Sequence, residues 1–165
     1  MKTLLLLRHA NSSSDHPGLI DHDRPLNEKG ACEAPYIGQL IKTQQIVIDF
    51  ILSSNATRAK TTTQLIAQHC GYNGPIELSA ELYATDAKHY LHVLSRIEKP
   101  FKSILMVGHN PTLEDLFLRL TKTKEEFPTA GLAHLQLPID NWGEIKSCPA
   151  AQLINFYRPK LNLST

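Results

Sequence analysis

Two arginines and two histidines stand at places where a folded chain delivers chemistry. Arg8 and His9 directly follow the apolar run at residues 3–7, Arg58 comes shortly after the apolar stretch 46–52, and His109 follows the apolar stretch 103–107. A guanidinium is always charged and its planar fork matches phosphate oxygens in a bidentate way. Two such groups with two imidazoles therefore suit a dianion, and phosphate is the natural guest. Positive neighbours disfavour protonation of an imidazole, so one ring can be held as an attacking nitrogen. Covalent catalysis by that ring would split a difficult displacement into phosphoryl transfer to the protein and hydrolysis by water. Arg8, Arg58 and a protonated His109 would spread the charge that gathers on the equatorial oxygens in transit.

Such groups are useful only if the chain brings them together. Residues 3–7 read as a strand buried on both faces of a mostly parallel sheet, with Arg8 and His9 at its carboxyl end. The polar stretch 11–25, broken by Pro17, Gly18 and Pro25, reads as a loop over that end. Asn27 can cap a helix over 28–43, bent at Pro35 because proline removes one donor of the ladder. A second strand is expected at 46–52, with Ser53, Ser54 and Asn55 as cap candidates for a helix carrying Arg58 in its first turn. A short third strand at 76–78 and a helix over 86–98 follow. The fourth strand at 103–107 ends at Gly108-His109-Asn110-Pro111, where Asn110 would cap a helix that starts at Pro111. Strands are also expected at 132–137 and 152–157.

Strands alternating with helices predict an α/β sandwich, in which ligands bind in the crevice outside the carboxyl ends of the strands. Three such ends deliver Arg8 with His9, Arg58, and His109. An Arg-His pair at the end of a buried strand is costly in a purely structural role, since both groups need partners when packed inside.

Composition narrows the field. The chain has 165 residues, 42% hydrophobic and 20% charged, enough for one domain, 1–165, with a core that needs no disulfide or structural metal. A net charge of +1 argues against a general nucleic-acid or membrane-surface binder. The apolar run near the start is too short for a secretory signal, so cytoplasmic residence is expected. Cys32, Cys70 and Cys148 are far apart and odd in number, which suggests reduced structural thiols. His89 and His92 lack the partners that would complete a metal set, and the loop residues Asp15, His16, Asp21, His22 and Asp23 read as a polar cover rather than a metal loop. No metal and no cofactor is expected.

The four elements also resemble a known family. Leu7-Arg8-His9-Ala10, then Leu52-Ser53-Ser54-Asn55-Ala56-Thr57-Arg58-Ala59, then Val107-Gly108-His109-Asn110-Pro111 are similar to the signature of the histidine phosphatase superfamily, in its short phosphohistidine-phosphatase group of the SixA type. Asp23-Arg24-Pro25-Leu26 followed by Gly30 is similar to that group's second loop, and Ala10 replaces the glycine common in the wider family. The resemblance implies a three-layer α/β/α sandwich, phosphoglycerate mutase-like, with a mostly parallel central sheet and an antiparallel edge strand. It implies His9 as the phosphorylated nucleophile, Arg8 and Arg58 as the phosphate clamp and His109 as the second imidazole. Arg24 and Ser12 are weaker candidates for substrate contacts. Glu81 falls in the interval where larger members carry a general acid. The implied partners are phosphorylated protein, as phosphohistidine, or a small phosphorylated metabolite. A mutase-like phosphoryl transfer is one alternative, although the chain is short for the insertions that keep water out. A phosphate-recognition module without turnover is another, but such a module has no need of a nucleophile.

Overall fold

The computed structural model describes residues 1–162. Its elements run β1 (Lys2–Arg8), α1 (Glu28–Thr43), β2 (Phe50–Ser54), α2 (Thr57–Cys70), β3 (Ile76–Ser79), α3 (Ala87–Ser95), β4 (Ser103–Gly108), α4 (Thr112–Thr121), β5 (Leu132–Leu137) and β6 (Gln152–Tyr157). The six strands form one sheet in the order β3-β2-β4-β1-β5-β6. β1, β2, β3 and β4 pair in parallel, whereas β5 runs antiparallel to both β1 and β6. The edge strand β6 thus pairs antiparallel with its neighbour, as expected, and β5, one position in, is the strand that runs against the others.

The apolar run of β1 is continuous because both faces of the sheet are covered. Leu4 and Leu6 enter a cluster with Leu52, Ile104, Met106, Tyr90 of α3 and Phe117 of α4. Leu5 and Leu7 point the other way, into a cluster with Ile51, Leu105, Ile37 of α1 and Ile66 of α2. Period-two alternation thus divides one strand between two helical layers, which gives the α/β/α sandwich.

Helix α1 begins where its cap predicts, with the Asn27 side chain accepting from the Gly30 amide at 2.9 Å, and it continues through Pro35. Gly30 is required by close approach: a Cβ there would lie 2.0 Å from the Asn11 carbonyl oxygen. β2 starts later than expected and runs on through Ser53 and Ser54, which pair with Leu78 and Ser79 of β3. Ile46 and Ile48 instead pack their side chains against the second cluster without joining the sheet. The cap expected from Ser53, Ser54 or Asn55 is also different. Ala56 holds the N-cap position of α2, and Ser54 Oγ accepts the Ala56 amide. At α4 the N-cap is Pro111 rather than Asn110, whose side chain is spent on Glu114 and on the Phe127 carbonyl.

Candidate active site

The carboxyl ends of β1, β2 and β4 lie side by side, since Leu7 pairs with Val107 and Val107 with Ser53. Everything that follows these strands is therefore crowded into one crevice. His9 and His109 extend from adjacent strands with ring centroids 5.1 Å apart. Arg58, in the first turn of α2, reaches the same place and is 5% exposed. The Thr62 hydroxyl fixes this arrangement, donating to the Arg58 carbonyl at 2.7 Å and accepting the Ala10 amide at 3.0 Å. Gly108 gives the Tyr90 hydroxyl room, because a Cβ there would come within 2.5 Å of it. That hydroxyl donates to the Leu82 carbonyl and accepts the His109 amide.

The state of His9 follows from its partners. Arg58 Nε can only donate, so His9 Nε2, 3.3 Å away, presents a lone pair. The ring proton then sits on Nδ1, which donates to the Ala10 carbonyl at 2.8 Å. Burial first, and then the positive charges of Arg58, Arg8 and Arg24, lower the His9 pKa to about 4, against the opposing pull of the Ala10 carbonyl. The result is a neutral imidazole with its unprotonated nitrogen turned toward a guanidinium.

His109 differs from the sequence expectation of a protonated ring. Burial, followed by His9 and Arg58, pushes its pKa down to about 3, with Asp21 pulling the other way. Its Nε2 lies 2.8 Å from Ser54 Oγ, while Nδ1 is buried without a partner. Arg8 donates through Nη1 to the Phe127 carbonyl and leaves Nε buried and unpartnered. Unsatisfied buried polar atoms are costly, and both belong to residues that line one cleft.

That cleft has a volume of about 410 Å³. Arg8, His9, Arg58, His109, Arg24 and Ser12 all line it, so six of the residues singled out from the sequence share one cavity. Arg24 donates to Ser12 Oγ at 2.9 Å and to a carboxylate oxygen of Asp21 at 3.0 Å. Glu81 is not brought to the site. It sits in a one-turn helix, Ala80–Leu82, with its carboxylate turned to Arg96 and His89 on the α3 side, and this pairing lowers its pKa. A carboxylate ionised there is neither placed nor protonated for general-acid work.

Other lining residues escaped the sequence reading. Asp21 and Asn11 come from the 11–25 loop, Asn110 follows His109, and Thr129 precedes β5. Beneath them Glu33, 3% exposed, accepts the Asn11 amide at 2.8 Å and the Thr129 hydroxyl. A glutamate on the apolar face of a predicted helix was the available signal. Tyr83 has no local signal; its hydroxyl donates to Asp21 at 2.7 Å. Among the described residues, no group of three or more His, Cys, Asp or Glu side chains is arranged to hold a metal ion. No helix among them is long and apolar enough to cross a membrane. A second hollow of about 460 Å³, lined by Phe50, Val93, Ile97 and Phe101, has no such cluster of buried cations and imidazoles.

The model of the histidine phosphatase superfamily (branch 1) matches residues 4–90, which include Arg8, His9 and Arg58 but stop short of His109. The chain belongs to the histidine phosphatase superfamily. Within it the likeness is to the SixA type: a proposed phosphohistidine phosphatase SixA from Agrobacterium tumefaciens superposes with a TM-score of 0.82 at 32% identity, covering 96% of this chain and 98% of its own. An uncharacterized protein of Mycobacterium tuberculosis, Rv1276c, is 30% identical over 93% of this chain and 100% of its own length. A 2,3-bisphosphoglycerate-dependent phosphoglycerate mutase of Rhodopseudomonas palustris is 36% identical over a shorter stretch, 44% of this chain and 36% of its own. Family and neighbours together support phosphatase chemistry.

Proposed function

We propose that this chain is a one-domain, metal-independent, cytoplasmic phosphatase that hydrolyses protein phosphohistidine or a small phosphomonoester through a covalent phosphohistidine on His9. The observation that carries the reading is the His9 ring itself: Nδ1 bonded to the Ala10 carbonyl, Nε2 unprotonated, and a buried Arg58 beside it. In this reading Nε2 attacks phosphorus in line, a P–Nε2 bond forms, and the bond to the leaving atom breaks. Water then attacks the phosphorus, the P–Nε2 bond breaks, and inorganic phosphate leaves. Arg8 and Arg58 hold the equatorial oxygens by charge-assisted hydrogen bonds, with Arg24 and Ser12 at the rim. A bound dianion raises the pKa of His109, so that its unpartnered Nδ1 can donate to a phosphoryl oxygen.

Phosphohistidine is favoured over an alkyl phosphate by the chemistry of departure. Asp21 is the one carboxyl group among the residues lining the cleft, and hydrogen bonds from Tyr83 and Arg24 with the charge of Arg58 hold it well below the usual carboxylate range. It is ionised at neutral pH and has no proton to give an alkoxide, whereas an imidazole leaves with less help. The similarity to the Agrobacterium tumefaciens SixA protein supports the same substrate class.

Turnover of p-nitrophenyl phosphate and of a phosphohistidine peptide in excess chelator tests the proposal. Activity should survive chelator, fall at least about 1000-fold in His9→Ala, and show the larger kcat/KM with the peptide. Phosphate binding without turnover of either compound would make the protein a recognition module instead.

A further inference from the structure

The geometry points to Asp21 as an internal counter-anion that competes with phosphate for the clamp arginines and limits how tightly the inorganic phosphate product is held. This inference rests on the cleft being a phosphoryl site. Asp21 belongs to the short 3-10 turn Asp21–Asp23 within the loop that covers the end of β1. Its backbone carbonyl accepts from Arg58 Nη1 at 2.7 Å, and Oδ2 accepts from Arg58 Nη2 at 3.0 Å. Oδ1 accepts from Arg24 Nε at 3.0 Å, and the Tyr83 hydroxyl donates to Oδ2 at 2.7 Å. One residue thus engages two of the three arginines that line the cleft.

The placement is that of a competitor and not of a deep scaffold. The Arg58 side chain is 6% exposed and that of Asp21 is 56% exposed, so the carboxylate lies on the solvent side of a buried guanidinium. With Nε directed at His9, three of the five N–H groups of Arg58 are already committed, two of them to Asp21. A phosphoryl dianion that settles on this guanidinium must share it with a fixed negative charge or displace it.

Covalent catalysis through histidine ends with a free dianion facing Arg8, Arg24 and Arg58, and such a site would release its product slowly. A carboxylate that can take the same N–H groups as the phosphate departs offers those groups another partner. The catalytic consequence is faster product release, obtained by giving up some ground-state affinity.

Asp21→Asn keeps the shape and an acceptor oxygen while removing the charge. Its affinity for inorganic phosphate, measured by calorimetry, should rise about tenfold, the effect of one partly screened like charge near a surface. The inhibition constant of phosphate in p-nitrophenyl phosphate turnover should fall by the same factor. Tyr83→Phe, which only loosens the hold on Asp21, should tighten phosphate by about two- to threefold, as expected for one lost hydrogen bond. If Asp21 served only to orient Arg58, Asp21→Asn would bind phosphate equally or more weakly, and that result overturns the proposal. An unaltered protein that binds no phosphate at all would sink the phosphoryl reading as well, so the two failures are distinguishable.

Discussion

The two ends of the same parallel strands are built to opposite rules. At the amino end of β2 and β4, Asp49 Oδ2 accepts the Lys102 and Ser103 amides at 2.8 and 3.0 Å, and its carbonyl accepts the Tyr72 hydroxyl. Lys2 and Trp142 both donate to the Phe101 carbonyl, and Phe101 stacks on Phe50 at 4.8 Å. At the carboxyl end, Arg8, His109 and Asn110 each leave a buried polar atom without a partner, and two imidazoles are held neutral among guanidinium groups. Apart from Ser103 Oγ, which is also buried without a partner, the amino end uses its polar groups to close the fold, whereas three residues at the carboxyl end leave theirs unpaired beside one cleft. The difference teaches where stability and chemistry reside: substitutions at the amino end should act on folding, and those at the carboxyl end on turnover.

The largest effect expected is on activity. Arg58→Ala should lower kcat/KM about 100-fold or more and weaken phosphate binding, because it removes a charge-assisted clamp. The thermal midpoint should move by only a few degrees; steady-state kinetics beside a melting curve checks both. Large unfolding with intact kinetics would break the contrast between the two ends.

The next effect comes from pH. The His9 and His109 pKa values fall from 6.5 to about 4 and about 3 on folding. Well above pH 6.5 neither ring binds a proton in either state, and this contribution to stability is fully present. Below it the unfolded chain takes up protons that the folded chain refuses, so stability is lost progressively as the pH falls toward the folded values. Each ring should account for roughly 3 kcal/mol of the loss by pH 4, about 6 kcal/mol for the two together, read from urea unfolding in phosphate-free buffer. His109→Ala should flatten that slope, while a substitution at the amino end should leave it unchanged.

The smallest effect belongs to Asp49. Asp49→Ala should cost about 2 kcal/mol of stability through two lost charge-assisted bonds to backbone amides. kcat/KM should stay within about twofold, which confines the effect to the fold.

Much of this division was legible in the sequence. Continuous apolar runs marked β1 and β4, and the polar residues just beyond them marked the cleft, because the end of a buried strand is where a chain first meets solvent. Asn27 announced α1 by its capping chemistry. What could not be read depends on contacts between distant segments. Ser53 and Ser54 look like cap residues, but pairing with β3 draws them into the sheet. Glu81 lies at a plausible interval, yet Arg96 and His89 claim its carboxylate. The 11–25 loop reads as polar cover, and nothing local separates Asp21 from Asp15 or Asp23. Only the position of Arg58 does so. The direction of β5 is a matter of how the chain returns after α4, and its alternating residues carry no sign of it.

The hydrogen bond from the His9 ring to the Ala10 carbonyl has a regiochemical consequence. A histidine can carry phosphorus on either nitrogen, giving two isomers with different lability. With the pros nitrogen spent on the main chain of its own neighbour, a phosphoryl group taken up by this ring would be attached at the tele nitrogen. Phosphorus NMR of a trapped adduct would then show a single isomer, chosen by one peptide oxygen.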